Sequence, residues 1–358
     1  MNIEMALLPS LVREADQQVC IVVDVLRATS TISAFFERGI SEVYIGSDLD
    51  EVAAIADSIP GCVKGGERGG MAPPGFQFSN SPTQILASQL DLTGLSAAFS
   101  TTNGTRAMVE LYRAGAPVVF SGCVRNGPAV AAAALQAARE RGCHVTVVAS
   151  GREHGSKICL EDVIVGGYLV YLLRQEAKLD NRPASMIAQL IAQDDDPDYV
   201  ALDHSPVKAR HFVGDEVAAE LEEEQHGAIT RYPFIPFNAV PASPAKDAGQ
   251  DKQSKAPFKW RKGSAAARMV EEGATLALRL YFSYVGEYND NPARPSRRAL
   301  LAAINECSGG HHLLRYGWAA DSVAVSDAGV CEVAPYLTAE AGRLVLRPYQ
   351  ATPVETPQ

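Results

Sequence analysis

The sequence predicts an α/β protein in which parallel β-α units build a layered sheet. Two patterns carry that prediction. Residues 19–23 are five apolar residues in a row. They end on Asp24 and lead through Arg27-Ala28-Thr29-Ser30-Thr31 into a segment, 32–39, that closes on a glycine. An unbroken apolar run of this length reads as a strand buried on both faces, and the glycine as a helix stop. The second pattern is repetition: the same strand, polar loop and helix recur through the first 175 residues. Such alternation indicates a parallel sheet with right-handed crossovers.

The elements follow in order. Residues 42–46 read as a strand and 48–58 as a helix. Residues 61–80, with Gly65-Gly66-Glu67-Arg68-Gly69-Gly70 and then Pro73-Pro74-Gly75-Phe76, carry too many glycines for a stable helix or strand. Ser81-Pro82-Thr83 opens a helix. Three units follow: strand 97–100 with helix 107–113, strand 118–120 with helix 128–141, and strand 144–149 with helix 160–174. Beyond 176 the rhythm stops. An acidic turn at 194–198 and a charged helix at 216–225 precede residues 236–263, whose proline, alanine, lysine and glutamine predict a flexible or disordered stretch. Helices are expected at 264–284 and 294–307, then a closing helix and short strands at 311–318, 323–326 and 344–346. The predicted organisation is an α/β catalytic core (1–175), a helical insertion with a disordered linker (176–290), a closing segment returning to the core (291–346) and a tail (347–358).

Composition narrows the function. Lysine plus arginine number 32 and aspartate plus glutamate 42, a net charge of −10. A chain this acidic is not expected to bind nucleic acid or a membrane surface through a basic face. Its seven cysteines show no C-x-x-C spacing, which suits reduced thiols in the cytoplasm. No signal peptide or long apolar segment is visible.

Against that background, each strand-end loop holds a basic residue: Arg27, Lys64 and Arg68, Arg106, Arg125, and Arg152 with Lys157. Parallel strands would gather these loops on one edge and make a positive cleft suited to a small polyanion. Thr101-Thr102-Asn103-Gly104-Thr105-Arg106 is the strongest anion signal, with hydroxyls and a glycine ahead of a helix N-terminus; ordinary N-capping accounts for one of these residues but not for all. Carboxylates collect in the same loops: Asp24, Glu67 and the adjacent Glu161-Asp162. Oxygen ligands of this kind suit Mg²⁺ shared with a substrate phosphate, although acids also favour the first turn of any helix. Asp48-Leu49-Asp50 reads as a cap rather than a phosphatase motif. His311-His312 are too close in sequence to ligate from one helix face.

Taken together and in order, Asp24-Val25-Leu26-Arg27-Ala28-Thr29-Ser30-Thr31, Gly65-Gly66-Glu67-Arg68-Gly69-Gly70, Pro74-Gly75-Phe76 with Asn80-Ser81-Pro82-Thr83, Thr102-Asn103-Gly104-Thr105-Arg106 and Leu160-Glu161-Asp162 resemble the 2-phosphosulfolactate phosphatase (ComB) family. The resemblance covers residues 19–175 and resumes from Gly310-His311-His312-Leu313-Leu314 to Pro335. It departs in the long polar stretch 176–290 and at Ser326-Asp327. It implies a three-layer α/β/α fold and a Mg²⁺-dependent phosphatase converting (2R)-2-phospho-3-sulfolactate to sulfolactate and phosphate, a step toward coenzyme M.

The candidate site is therefore Asp24, Arg27, Glu67 and Arg68 for catalysis. Thr102, Asn103, Gly104, Thr105, Arg106, Arg125 and Asn126 are expected to bind substrate, and Asp24, Glu161 and Asp162 to bind Mg²⁺. The expected partner is a small phosphorylated polyanionic acid, and a homo-oligomer is left open. Attack by water and a covalent aspartyl-phosphate at Asp24 both fit these residues. The alternatives are a phosphatase of another 2-phospho-hydroxyacid and a non-catalytic phosphate sensor; a sensor has no reason to line its cleft with four carboxylates.

Overall fold

The computed structural model describes residues 1–179, 264–285 and 291–350, with residues 264–272 described by their backbone alone. At its centre lies β2 (Gln18–Val23), buried along its whole length. Val19, Ile21 and Val23 enter one hydrophobic cluster and Cys20 and Val22 another, the period-two division of a strand covered on both faces. β2 pairs in parallel with β6 (Val118–Gly122) and β7 (His144–Ala149), and β7 pairs with β1 (Ile3–Ala6). A second parallel set joins β3 (Glu42–Ile45), β5 (Ser96–Ser100) and β4 (Val63–Gly66). The antiparallel hairpin β8 (Pro335–Glu340) and β9 (Arg343–Pro348) bridges the sets, so the sheet runs β1-β7-β2-β6-β8-β9-β3-β5-β4.

Helices cover both faces and complete three layers. The cluster on one face takes residues from α5 (Gly127–Arg141), α6 (Leu160–Glu176), α7 (Ser264–Tyr284) and α8 (Arg297–Glu306). On the other face lie α1 (Ala28–Glu37), α3 (Pro82–Leu86) and α4 (Gly104–Arg113). α2 (Leu49–Asp57) packs Val52, Ile55 and Ala56 on Ala98. α9 (Ser308–Arg315) and α10 (Ala319–Val325) close the described chain before the hairpin. Backbone contact between α6 and α7 is close: a Cβ on Gly167 would lie 2.1 Å from the Ala277 carbonyl oxygen.

The mostly parallel three-layer architecture is as expected, with several differences in detail. Three antiparallel steps (β6 to β8, β8 to β9, β9 to β3) reverse the chain direction, so the two parallel sets oppose each other along the ladder. One shared strand edge therefore cannot gather all the basic loops. Some loops of the two sets nevertheless line one cleft. The stretch 61–80 does contain a strand, β4. Its glycine is needed there, since a Cβ on Gly65 would meet the Phe99 ring at 2.9 Å. α1 begins at Ala28, four residues earlier than expected. Its hydroxyls bond locally, Thr29 Oγ1 donating to the Asp24 carbonyl and Ser30 Oγ to the Val25 carbonyl, both at 2.9 Å. β1 and β8 were not predicted.

Residues 323–325, expected near a short strand, belong to α10. The expected linker at 236–263, the acidic turn at 194–198 and the helix at 216–225 lie outside the described residues. All seven cysteines are free thiols. No described helix is long and apolar enough to cross a membrane.

Candidate active site

A cleft of about 410 Å³ opens where loops from both parallel sets converge. Asp24 and Arg27 enter it from the loop after β2, Glu67 from the end of β4, Asn103 from the loop after β5, and Arg152, Glu161 and Asp162 from the loop after β7 and the start of α6.

Asp24 sits between two helix N-termini. Its Oδ1 accepts from the Ala28 N–H at 3.4 Å, and the Gly104 N–H also bonds to the carboxylate. The steric reason for Gly104 is direct: a Cβ there would lie 2.7 Å from the Ala28 methyl and 2.8 Å from Asp24 Oδ2. These donors favour the charged form. Burial outweighs them, and with Glu67 and Glu161 nearby it pushes the Asp24 carboxyl up from 3.8 to about 6. Asp162 is held by the Val25 N–H at 3.0 Å on Oδ1 and by the Ser150 hydroxyl at 3.2 Å on Oδ2. Burial, with Asp24 and Glu161 adding their charge, drives its carboxyl well above the usual range. Glu161 is 3% exposed, and its Oε2 has no hydrogen-bond partner.

Arg27 is anchored from three sides. Its Nη1 donates to Asp321 Oδ2 at 2.6 Å, its Nη2 lies 3.8 Å from Glu67, and its guanidinium carbon stands 4.5 Å from the centre of the Trp318 ring. Asp321 is fixed in turn, its Oδ1 accepting from the Ser81 hydroxyl at 2.7 Å and the Thr83 N–H at 3.2 Å at the start of α3.

A family model described as 2-phosphosulpholactate phosphatase matches residues 6–223, which include every loop named above. The chain belongs to this phosphatase family. A protein of Carboxydothermus hydrogenoformans is 30% identical over 200 residues, 56% of this chain and 79% of its own length. Relatives from Gloeobacter violaceus and Deinococcus radiodurans are 37% and 33% identical over 164 and 156 residues, and the matches span 66% and 62% of those proteins. All three bear the name "probable 2-phosphosulfolactate phosphatase".

In this family member the structure brings together Asp24, Arg27, Glu67, Asn103, Glu161 and Asp162, with Gly104 packed on Asp24. It places the other candidates elsewhere. Arg68, Thr102, Thr105 and Arg106 line a neighbouring cavity of about 660 Å³, which shares Glu67 with the first. Apart from the shared Glu67, the carboxylates that line the larger space, Asp48, Asp50, Glu51 and Glu110, are exposed. Thr105 Oγ1 donates to the Thr101 carbonyl at 2.8 Å, and Arg106 pairs along its own helix with Glu110 at 2.6 Å. The N–H of Gly104 does approach an oxygen, as expected, but the oxygen is Asp24's own.

Arg125 and Asn126 are structural. Arg125 is buried and reaches Glu37 at 2.5 Å, Asp327 at 3.5 Å and the Ala324 carbonyl. Asn126 accepts from the Cys123 N–H at 2.9 Å and donates to the Ser121 carbonyl at 3.1 Å. Lys64 and Lys157 pair with Asp57 and Glu153 at 2.6 and 2.7 Å. Of the basic residues expected to form one positive cleft, only Arg27 and Arg152 line it.

Residues unassigned from sequence complete the walls: Asn80, Arg152, Gly309, His312, Tyr316 and Trp318. Arg152 had its signal as a strand-end base, and His312 stands in the closing segment that resembles the family. Asp321 had none, because its pairing spans 294 residues of sequence.

The donor set suits a divalent cation. Among the described residues no three His, Cys, Asp or Glu side chains form a ready chelate. Mg²⁺ does not need one, because it takes one or two carboxylates and fills its octahedron with water and phosphate oxygens. Two buried acceptors facing no donor, Glu161 Oε2 and Asn80 Oδ1, belong to residues that line the cleft beside the mutually repelling Asp24 and Asp162.

Proposed function

We propose that the protein is a Mg²⁺-dependent phosphatase that hydrolyses (2R)-2-phospho-3-sulfolactate to (2R)-3-sulfolactate and phosphate, the reaction that supplies sulfolactate on a route toward coenzyme M. One observation carries the reading. Asp24, Glu161 and Asp162 are buried together in a cleft where one of the two lining arginines, Arg27, is already paired with Asp321. Charge arranged in this way is costly unless a bound cation offsets it, and the relatives' names supply the substrate class.

Asp24, Glu161 and Asp162 would hold the ion. When bound, it neutralises phosphate oxygens and lowers the barrier to attack at phosphorus. Arg27, locked by Asp321 and Trp318, orients the phosphoryl group with little entropy left to lose. Glu67, the most exposed carboxylate of the cleft, takes the proton of the attacking water. The bond from phosphorus to the substrate's C2 oxygen breaks, and His312, which lines the same cleft, returns a proton to the departing alkoxide.

The test is phosphate release from 2-phospho-3-sulfolactate with Mg²⁺ and with EDTA. Release that Mg²⁺ restores after EDTA treatment is expected. No release under any divalent cation refutes the function, and release that EDTA leaves untouched refutes the metal.

A further inference from the structure

We propose that Arg152 is the specificity residue of the cleft and takes the acidic group of the substrate that is not the phosphate. The proposal rests on the function proposed above and names the part of the substrate that this site grips.

The two guanidinium groups of the cleft are in different states. Arg27 is 5% exposed, pairs with two carboxylates and stacks on Trp318. Its charge is already paired with Glu67 and Asp321. Arg152 is half-buried, lines the same cleft, and donates through Nη2 to the Ser308 hydroxyl at the start of α9. Among the described residues no carboxylate lies within ion-pair distance of it. A guanidinium offers five N–H donors, and a single neutral acceptor leaves most of them free.

The backbone of Arg152 is also held in place. Its N–H donates to the Lys157 carbonyl at 2.8 Å, and the Ser156 and Lys157 N–H groups bond back to its own carbonyl at 3.0 and 3.1 Å. The next turn of that loop is tied to the loop after β5, where the His154 N–H donates to Asn103 Oδ1 at 3.2 Å. The guanidinium is thus carried on an ordered loop, half-buried, with no ion-pair partner among the described residues, and it is available to an anion from outside. The carboxylates repel every anion that does not bring a cation with it. A phosphate reaches the site with the divalent ion, so the guanidinium remains for a carboxylate or sulfonate on the substrate's carbon skeleton. Both groups present paired oxygens that match a guanidinium fork.

The experiment separates this proposal from the function itself. Calorimetry measures the binding of 3-sulfolactate and of inorganic phosphate to the full-length protein with Mg²⁺, and neither ligand requires turnover. Arg152→Ala is expected to lose at least 30-fold in affinity for 3-sulfolactate and to stay within twofold for phosphate. Arg152→Lys should recover part of the loss, since it keeps the charge without the fork. Ser308→Ala should stay within twofold for both ligands. Arg152→Gln is the fallback if Arg152→Ala unfolds below assay temperature. Equal loss for both ligands, retention of 3-sulfolactate binding by the variant, a Ser308→Ala loss as large as that of Arg152→Ala, or failure of the wild type to bind 3-sulfolactate overturns the assignment. Activity of the wild type on 2-phospho-3-sulfolactate is read separately and bears only on the function.

Discussion

Replacing Asp24 with asparagine should cost activity and raise stability, and the size of the gain follows from the environment of the side chain. Its carboxyl rises from 3.8 to about 6 on folding, mainly through burial. At about 1.4 kcal/mol per pKa unit, the charged form costs the fold about 3 kcal/mol near pH 7.5. The sign follows from the direction of the shift. The folded state keeps its proton to higher pH than the unfolded chain, so stability is greatest below 3.8 and falls as pH rises toward about 6. Asparagine carries no such cost. Its amide oxygen can accept from either the Ala28 or the Gly104 N–H but not both, which gives back about 1 kcal/mol. The net gain is about 2 kcal/mol at pH 7.5, or roughly 4 °C in Tm. At pH 5 the charge cost is about half as large and the gain should fall to about 0.5 kcal/mol. The assay is thermal unfolding of both proteins in EDTA at the two pH values, with phosphate release measured in Mg²⁺. An asparagine variant that is less stable than wild type at pH 7.5, or a gain that does not shrink at pH 5, would refute the account of Asp24 as a carboxylate held at the fold's expense.

Two further outcomes separate cleft from scaffold. Arg125→Ala should lose about 2–4 kcal/mol in denaturant unfolding, because it strips partners from Glu37, Asp327 and the Ala324 carbonyl, while kcat/KM of the folded fraction stays within threefold. Arg106→Ala removes an exposed pair within one helix, so stability should change by less than about 0.5 kcal/mol and KM by less than twofold; a tenfold rise in KM would place substrate in the larger cavity instead.

The core and the carboxylate site were legible in the linear sequence because both are written in local patterns. The run at 19–23 reads as a strand covered on both faces, and Asp24 follows at its carboxyl end. Glu161 and Asp162 were less clear, because acids favour the first turn of any helix. The basic residues show where that reasoning stops. Arg27, Arg125 and Arg152 look alike in sequence, each a base after an apolar strand. Their roles depend on which carboxylate lies within about 4 Å, and that is settled by segments far along the chain: Asp321 for Arg27, Glu37 and Asp327 for Arg125, and none among the described residues for Arg152. The hairpin β8-β9 acts in the same way. Nothing local announces that residues 335–348 enter the middle of the sheet and set its two halves in opposite directions. Periodicity and turn chemistry act over a few residues and are fixed by the order of the chain, whereas charge compensation and strand insertion act through space and exist only once the chain has folded.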